Sequence, residues 1–454
     1  MKKIKLIISL FIVIFVSYLF LYSAIGENKY NNLKNLISNE HKKIIKDIFF
    51  RYKILTNKDL KTLEDKISEL SLYKELHFRE NLNNIKIIKS EDIILSNNKI
   101  LEKYTLIDGF YSTINSKKKK AYPVGYLDFY NKDIFILSSH GILAYKGNLN
   151  DKENFTQIKN NINKFIGYKQ FQKGAYFSLR DLYIHKNKIF ISYVEEIKEN
   201  CWNTSAIYGD INYENIIFKK LFSAKDCVHS INNTDKEFAG TQSGARIFNF
   251  DDNHVLLSIG DFRSRHLAQN KDSVNGKIIK INIHTKNFEI ISMGHRNPQG
   301  LYFDKDKNFI IETEHGPKGG DEINIIEVDK INKNKILNYG WAIVSDGEHY
   351  TKTKKKYEKY PLYKSHTKYG FIEPIKSFKP SIGISQIIKI KKNKYVVSSM
   401  KDRSLYFFEL DSKKKIKNLN RVEVFERVRD LNINGNKLYL FLEGSASIGV
   451  INLN

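Results

Sequence analysis

The residues with the clearest chemical potential are arginines that stand beside short apolar segments typical of β-strands. These arginines are Arg180, Arg246, Arg296, Arg427 and Arg429. Guanidinium groups that gather in one place repel each other unless an anion or an internal carboxylate neutralises them. The pattern therefore predicts a pocket for an anionic ligand, such as a carboxylate-rich cofactor or a phosphorylated molecule. The alternative is that each arginine forms an internal ion pair with a neighbouring aspartate.

Three motifs lie close together in the second half of the chain. They are residues 294–300 (GHRNPQG), 314–324 (EHGPKGGDEIN) and 338–341 (NYGW). In this order they resemble the soluble aldose, glucose and sorbosone dehydrogenases that use pyrroloquinoline quinone (PQQ). Weaker matches at residues 241–247 (TQSGARI) and 427–430 (RVRD) extend the resemblance over roughly residues 120–454.

The resemblance implies an oxidoreductase that oxidises an aldose sugar at C1, with PQQ and calcium as cofactors and an external electron acceptor as partner. The positions that hold the quinone and its carboxylates in the family are occupied here by Arg296, Asn297, Lys401, Arg427 and Arg429. Arg296 is also a candidate catalytic residue. The backbone carbonyls of Gly316 and Pro317 stand where the family binds calcium, an ion that prefers oxygen ligands.

One position departs from the family pattern. The family's general base is a histidine just before the QSG-like turn, and this chain has Thr241 there. A threonine hydroxyl is not a general base near neutral pH. We expect His315 to be the substitute base if its side chain reaches the pocket, and His295 and His266 are weaker candidates. The alternative is a non-catalytic propeller that binds a sugar, a glycan or a protein partner.

Six copies of one short pattern must position these residues. Each copy has an alternating apolar strand, a polar turn and a strongly apolar strand that ends in small or acidic residues. The copies are residues 127–139, 182–194, 247–261, 301–316, 387–400 and 431–444. A second hairpin follows several copies, so we predict an all-β fold, a six-bladed β-propeller of four-stranded blades over residues 91–454. A pair of β-sandwiches is the alternative.

Residues 1–26 have the pattern of an export segment, because a lysine-rich start precedes an uncharged apolar run. The run is about 20 residues long, enough to cross a bilayer as a helix. It predicts a signal peptide or an uncleaved membrane anchor. Either one places the protein in the periplasm or on the periplasmic face of the inner membrane. Residues 27–90 are predicted to be a helical stalk or extension whose apolar positions include Ile67 and Leu70.

The formal net charge of +25 is the usual sign of a nucleic-acid partner. Here the excess comes mainly from short lysine runs between strand patterns, and no nucleic-acid-binding motif accompanies them, so we expect no such partner. The two cysteines, Cys201 and Cys227, are able to pair in an oxidising compartment. Two buried free thiols are the alternative.

Overall fold

The computed structural model describes residues 57–111, 122–174, 176–331, 336–350 and 358–454. The chain forms two compact units, Met1–Lys66 and Ile67–Asn454. The predicted export segment and the first part of the predicted stalk lie outside the described residues. In the part of the chain that is described, no helix is long and apolar enough to cross a membrane.

Helix α1 (Asn57–Glu80) ends against the β-sheet domain. Among its described side chains the buried apolar ones are Leu72 and Leu76, four residues apart on one face, whereas Ile67 and Leu70 are exposed. The apolar positions Ile67 and Leu70 of the predicted helix are thus not part of its packing face. At the end of the helix, Glu75 Oε2 lies 2.8 Å from Nδ1 of His140, in a fully buried pair.

Three strands follow the helix and begin the sheet domain. They are β1 (Ile87–Lys89), β2 (Ile93–Ile94) and β3 (Ile100–Leu106). β1 and β2 both pair with β3. The sheet thus begins a few residues before the predicted domain start at residue 91.

The next strands form blades 1 to 3. Blade 1 contains β4 (Gly125–Tyr130), β5 (Asp133–Ser138), β6 (Leu143–Lys146) and β7 (Thr156–Gln157), and β8 (Lys159–Asn160) follows it. Blade 2 contains β9 (Leu179–His185), β10 (Lys188–Lys198), β11 (Cys201–Asp210), β13 (Lys219–Phe222) and β14 (Val228–His229), and β12 (Asn215–Ile216) pairs with β8. Blade 3 contains β15 (Gly244–Asp251), β16 (His254–Ile259), β17 (Lys277–Asn282) and β18 (Phe288–Met293).

Blades 4 to 6 complete the ring. Blade 4 contains β19 (Pro298–Asp304), β20 (Phe309–Glu314), β21 (Asp321–Glu327) and β23 (Lys376–Phe378), while β22 (Leu337–Asn338) joins blade 3. Blade 5 contains β24 (Ile384–Lys391), β25 (Lys394–Ser399), β26 (Ser404–Leu410) and β27 (Ile416–Glu423). Blade 6 contains β28 (Val428–Asn434), β29 (Lys437–Leu442) and β30 (Ser447–Asn452), with β3 as its fourth strand.

Short helices occupy the connections. The α-helical turns are α2 (Tyr168–Phe171) and α3 (His266–Gln269). The 3-10 turns are Ile162–Lys164, Lys305–Lys307, Val328–Lys330 and Thr367–Tyr369.

The six-bladed propeller predicted from the sequence is confirmed. The first strands of the blades, β4, β9, β15, β19, β24 and β28, contact each other in that order, and β28 contacts β4 again. The two innermost strands of every blade are the six predicted hairpins. The second strands read as apolar runs because neighbouring blades cover both of their faces, as β20 shows with all six residues buried. The core therefore lies between the blades.

The two cysteines form a disulfide bond that ties the start of β11 to the loop before β14, with the Cα atoms 5.3 Å apart. Of the two alternatives that the sequence left open, paired or free thiols, the structure has the pair.

Candidate cofactor and catalytic site

The three sequence motifs converge at one end of the propeller. Arg296 lies just before β19, and its Nη1 donates to the carbonyl of His315, just after β20, at 2.7 Å. The guanidinium lies 5.3 Å from the centre of the Trp341 ring. Trp341 in turn donates from Nε1 to Oδ2 of the buried Asp261, at 2.7 Å. Arg296 is therefore held between two motifs that are distant in sequence.

Asn297 fixes the hydrogen-bonding role of His315. Its Oδ1 accepts from the backbone N–H of Gly244 at 3.1 Å and from Nε2 of Gln299 at 3.0 Å. This orientation points Nδ2 at Nδ1 of His315, 3.3 Å away. Nδ1 is then the acceptor, and in the neutral imidazole the proton is on Nε2.

Burial is the main cause that lowers the pKa of His315, and the positive charges of Arg296 and Arg429 add to it, while Asp321 acts in the opposite direction. The ring is neutral at pH 7. Nε2 is buried and has no partner of ordinary hydrogen-bond geometry among the described residues. Nε2 is enclosed by protein, with the backbone of Ile384 among its polar neighbours. The His315 ring accepts a proton only if Asn297 turns away from Nδ1.

Arg427 and Arg429 share one carboxylate. Nε of Arg427 donates to Oε2 of Glu443 at 2.8 Å, and Nε of Arg429 donates to Oε1 at 2.5 Å. The Glu443 side chain is 1% exposed. Their terminal amino groups make only long contacts, such as Arg427 Nη1 to the Met400 carbonyl at 3.4 Å. Lys401, the next residue, is exposed. The structure thus brings Lys401, Arg427 and Arg429, the three side chains predicted to bind the cofactor's carboxylates, to the edge between blades 5 and 6.

Arg246 has a different role from the other arginines. Its Nη1 donates to Asp181 and Asp430, each at 2.7 Å, inside the channel. All three side chains are almost fully buried. The sequence left two alternatives for each arginine, an anionic ligand or an internal ion pair with an aspartate. For Arg246 the internal ion pair is correct.

Thr241 lies in an exposed turn before β15. Arg180 Nη2 donates to the Gly240 carbonyl at 3.0 Å and so holds this turn. The next residue, Gln242, is buried. When its amide is oriented to satisfy both ends, its oxygen accepts from Arg296 Nη2 at 2.9 Å and its nitrogen donates to Asp261 at 3.0 Å. The turn therefore contacts the site through Gln242.

The loop that carries the predicted calcium ligands is tightly built. A Cβ on Gly316 would lie 1.6 Å from the carbonyl oxygen of Gly320, so only glycine fits there. The Pro317 carbonyl accepts a hydrogen bond from Ser381 Oγ at 3.3 Å. Among the described residues we find no hydrogen bond to the Gly316 carbonyl, which leaves it available as a ligand.

The two weaker histidine candidates lie elsewhere. His295 is fully buried, with Nε2 2.8 Å from Ser292 Oγ. His266 is 40% exposed and lies 3.9 Å from Asp235.

Sequence reasoning missed Glu443 and Gln242 as parts of the site. Glu443 follows the apolar end of β29. It thus shows the same pattern as Asp261 and Glu314, an acidic residue at or just after the end of an apolar strand. Nothing in the sequence showed that it would bind both Arg427 and Arg429.

A family model described as Glucose / Sorbosone dehydrogenase matches residues 168–449. The chain belongs to this family. It is similar to an uncharacterized protein of Synechocystis sp., with 28% identity over 222 residues, or 42% of this chain and 51% of the relative. It is also similar to Aldose sugar dehydrogenase YliI of Escherichia coli, with 24% identity over 252 residues, or 51% of this chain and 63% of that protein. The matches thus span less than two thirds of either relative.

Solved structures show the same fold. The soluble aldose sugar dehydrogenase of E. coli in its apo-form has a TM-score of 0.58 at 20% identity and covers 72% of this chain and 94% of its own. The PQQ-bound aldose sugar dehydrogenase of Streptomyces coelicolor has a TM-score of 0.52 at 15% identity and covers 73% and 99%. These likenesses support the propeller assigned above.

Proposed function

We propose that this member of the glucose/sorbosone dehydrogenase family oxidises an aldose sugar at C1, with PQQ and calcium as cofactors and an external electron acceptor. The observation that carries the proposal is the placement of Arg427 and Arg429 on one buried carboxylate, with only long contacts at their terminal amino groups. Two guanidinium groups held by one acid keep a net positive charge, which favours a ligand with several carboxylates.

The residues present fit such a cofactor. Lys401, Arg427 and Arg429 supply donors on one side, and Arg296, held by the carbonyl of His315, supplies a guanidinium on the other. Arg296 and Asn297 are rigidly held between motifs, as expected for groups that must orient a planar ring. The free Gly316 carbonyl and the Pro317 carbonyl suit a hard cation such as calcium.

When bound, PQQ supplies a quinone that accepts a hydride, and a nearby calcium ion makes that quinone more electrophilic. The protein's own residues do the positioning. Arg296 and Asn297 orient the ring, Lys401 and the two arginines bind carboxylates, and His315 holds Arg296 through its backbone carbonyl. The Thr241 turn borders the substrate side through Gln242.

Oxidation of the sugar needs an acceptor for the proton of its hydroxyl group, and this site has no general base at the position where the family has one. Thr241 offers no base, and His315 accepts at Nδ1 only after Asn297 moves. This observation favours a second candidate function, in which the propeller binds a sugar, a glycan or a quinone without turnover. The role of His315 as a substitute base stays a prediction.

We also propose that the protein works outside the cytoplasm, in the periplasm or at the periplasmic face of the inner membrane. The Cys201–Cys227 disulfide supports this location, because disulfides persist mainly in oxidising compartments.

Reconstitution with PQQ and calcium tests the function. We expect the bound quinone spectrum to change on mixing, and an artificial acceptor dye to be reduced when aldoses are added. Arg429→Gln should weaken PQQ binding, whereas Arg421→Gln, which removes an exposed arginine paired with Asp402, should not. Binding without dye reduction would select the non-catalytic function. A folded protein that binds no PQQ would refute both quinone assignments.

A further inference from the structure

A second group of chemically capable side chains lies inside blade 4, apart from the carboxylate-binding arginines. Glu312 and Glu314 are two residues apart on β20 and so share one face of the strand. His295, from the turn before β19, and Asn324, opposite Glu312 on β21, complete the group. All four residues are at most 3% exposed.

The distances in this group are longer than those of a strong, two-centre ion pair. His295 Nδ1 lies 3.4 Å from Oε1 of Glu314 and 3.4 Å from Oε1 of Glu312. Charge-assisted N–H···O bonds measure about 2.7–2.9 Å. The buried pair of His140 and Glu75 in the same protein, at 2.8 Å, meets that expectation. The wider spacing around His295 fits one N–H shared between two carboxylates, and it equally fits an ion held among the three groups.

A tetrahedral metal ion explains the spacing. Zinc lies about 2.1 Å from nitrogen and carboxylate ligands, and tetrahedral geometry then places ligand atoms about 3.4 Å apart. The three ligand atoms of His295, Glu312 and Glu314 all lie within 4.8 Å of one another. His295 Nε2, at 2.8 Å from Ser292 Oγ, is tied down as the outer nitrogen of a metal-binding histidine usually is.

Two buried acceptor atoms are left without partners among the described residues, Glu312 Oε2 and Asn324 Oδ1. Asn324 Nδ2 lies 2.8 Å from Glu312 Oε1 and 3.3 Å from Glu314 Oε1. A half-turn of the amide, which a bound ion would favour over these two hydrogen bonds, would bring Oδ1 to this position as a fourth ligand. In the described part of the chain neither carboxylate pairs with lysine or arginine, and the basic group that both carboxylates face is the imidazole of His295.

We propose that His295, Glu312, Glu314 and Asn324 bind a divalent transition-metal ion of the zinc class. Imidazole together with carboxylates selects such an ion over calcium, which takes oxygen ligands. Glu314 Oε2 also accepts from the backbone N–H of Arg296 at 2.5 Å. The ion thus braces the turn that presents Arg296 and Asn297 to the cofactor site, and its binding does not depend on the proposed dehydrogenase function.

The test uses the full chain stripped with a chelator, without PQQ, and Co²⁺ as the spectroscopic probe for a zinc site. We expect one Co²⁺ per chain with the intense visible bands of tetrahedral coordination, displaced by Zn²⁺ and not by excess Ca²⁺. Glu312→Gln should weaken Co²⁺ binding at least about 100-fold, since outer-shell changes alone cost 10–100-fold. The matched control is Glu75→Gln, which alters the other buried histidine pair and should leave Co²⁺ binding unchanged.

An anomalous difference peak at the zinc absorption edge, in crystals of the unmodified protein grown with Zn²⁺, should lie beside His295 Nδ1. This measurement is independent of how the variants fold. The proposal is overturned if the peak is absent there, if the Co²⁺ spectrum is octahedral, or if a folded Glu312→Gln protein binds Co²⁺ as the parent does.

Discussion

Glu443→Gln is the substitution that most directly tests how the two arginines are held. Each carboxylate oxygen accepts one Nε–H, at 2.8 Å from Arg427 and 2.5 Å from Arg429. Glutamine keeps one acceptor and turns an amide N–H toward the other arginine, so one charge-assisted bond is lost and the second weakens. Such bonds contribute about 1.5–3 kcal/mol each. Because the arginine side chains are 25% and 13% exposed, we expect the free energy of unfolding to fall by about 2–3 kcal/mol.

The same change should weaken cofactor binding. Without Glu443 each arginine must be immobilised by the ligand itself, at about 0.5–1.5 kcal/mol for each long side chain. For two arginines the sum of about 1–3 kcal/mol corresponds to roughly 5- to 150-fold weaker PQQ binding. PQQ titration followed by absorbance gives the affinity, and urea denaturation gives the stability. Glu426→Gln, which removes a carboxylate paired with Lys103, is the control.

The effect should depend on pH with a definite sign. Burial by itself raises the pKa of Glu443, but the charges and hydrogen bonds of Arg429 and Arg427 outweigh it and lower the pKa below 4.5. A carboxyl group whose pKa is lower in the folded state stabilises the protein above its unfolded pKa and loses that effect as pH falls through the folded pKa. The stability gap between parent and variant should therefore be constant from about pH 5 to 7 and shrink in more acidic buffer. Equal stability and equal PQQ affinity at pH 7 would refute this account of the two arginines.

Three further changes have clear expected outcomes. Cys227→Ser opens a link across 26 residues, so the free energy of unfolding should fall by about 3 kcal/mol in urea melts, and an unchanged midpoint would contradict this. Arg246→Met leaves two buried aspartates unpaired and should cost about 3–5 kcal/mol. Since burial already raises the pKa of Asp181 to about 7, that variant should gain stability from pH 7 to pH 5, and the opposite slope would count against it. Thr241→His should raise sugar-dependent dye reduction by about 10²- to 10⁴-fold without changing PQQ affinity; no increase would place the proton acceptor elsewhere.

The inner hairpins of the propeller were predictable because their signals are local. Alternating strands joined by polar turns require only neighbouring residues to be recognised. The closure of blade 6 by β3 was not predictable in this way, since Leu101 pairs with Ile451 across nearly the whole chain. The packing face of α1 also escaped prediction. Leu70 and Leu72 are both apolar, and only the position of the propeller decides which of them is buried.

At the site, the resemblance pointed to Arg296, Asn297 and Arg429, and their roles toward a cofactor stay predictions. The proton on His315 Nε2 could not be foreseen, because it follows from the orientation of Asn297, which depends on Gly244 and Gln299. Glu443 was missed for the same kind of reason. A partner is defined by distances in space, whereas the sequence reports only the residue types.

The pairing of β3 with β30 has a consequence for how the protein reaches its native state. Closing a loop of this length costs only slightly more entropy than closing a short one, because the cost grows with the logarithm of length. Such distant pairing is nevertheless slow, since β30 is placed beside β3 only after the five intervening blades have formed. During that interval both strands present unpaired edges, which attract other chains. Once β3 and β30 are paired, the ring of blades is closed. To open the ring at this point, the protein must separate a strand from the start of the sheet domain from its last strand.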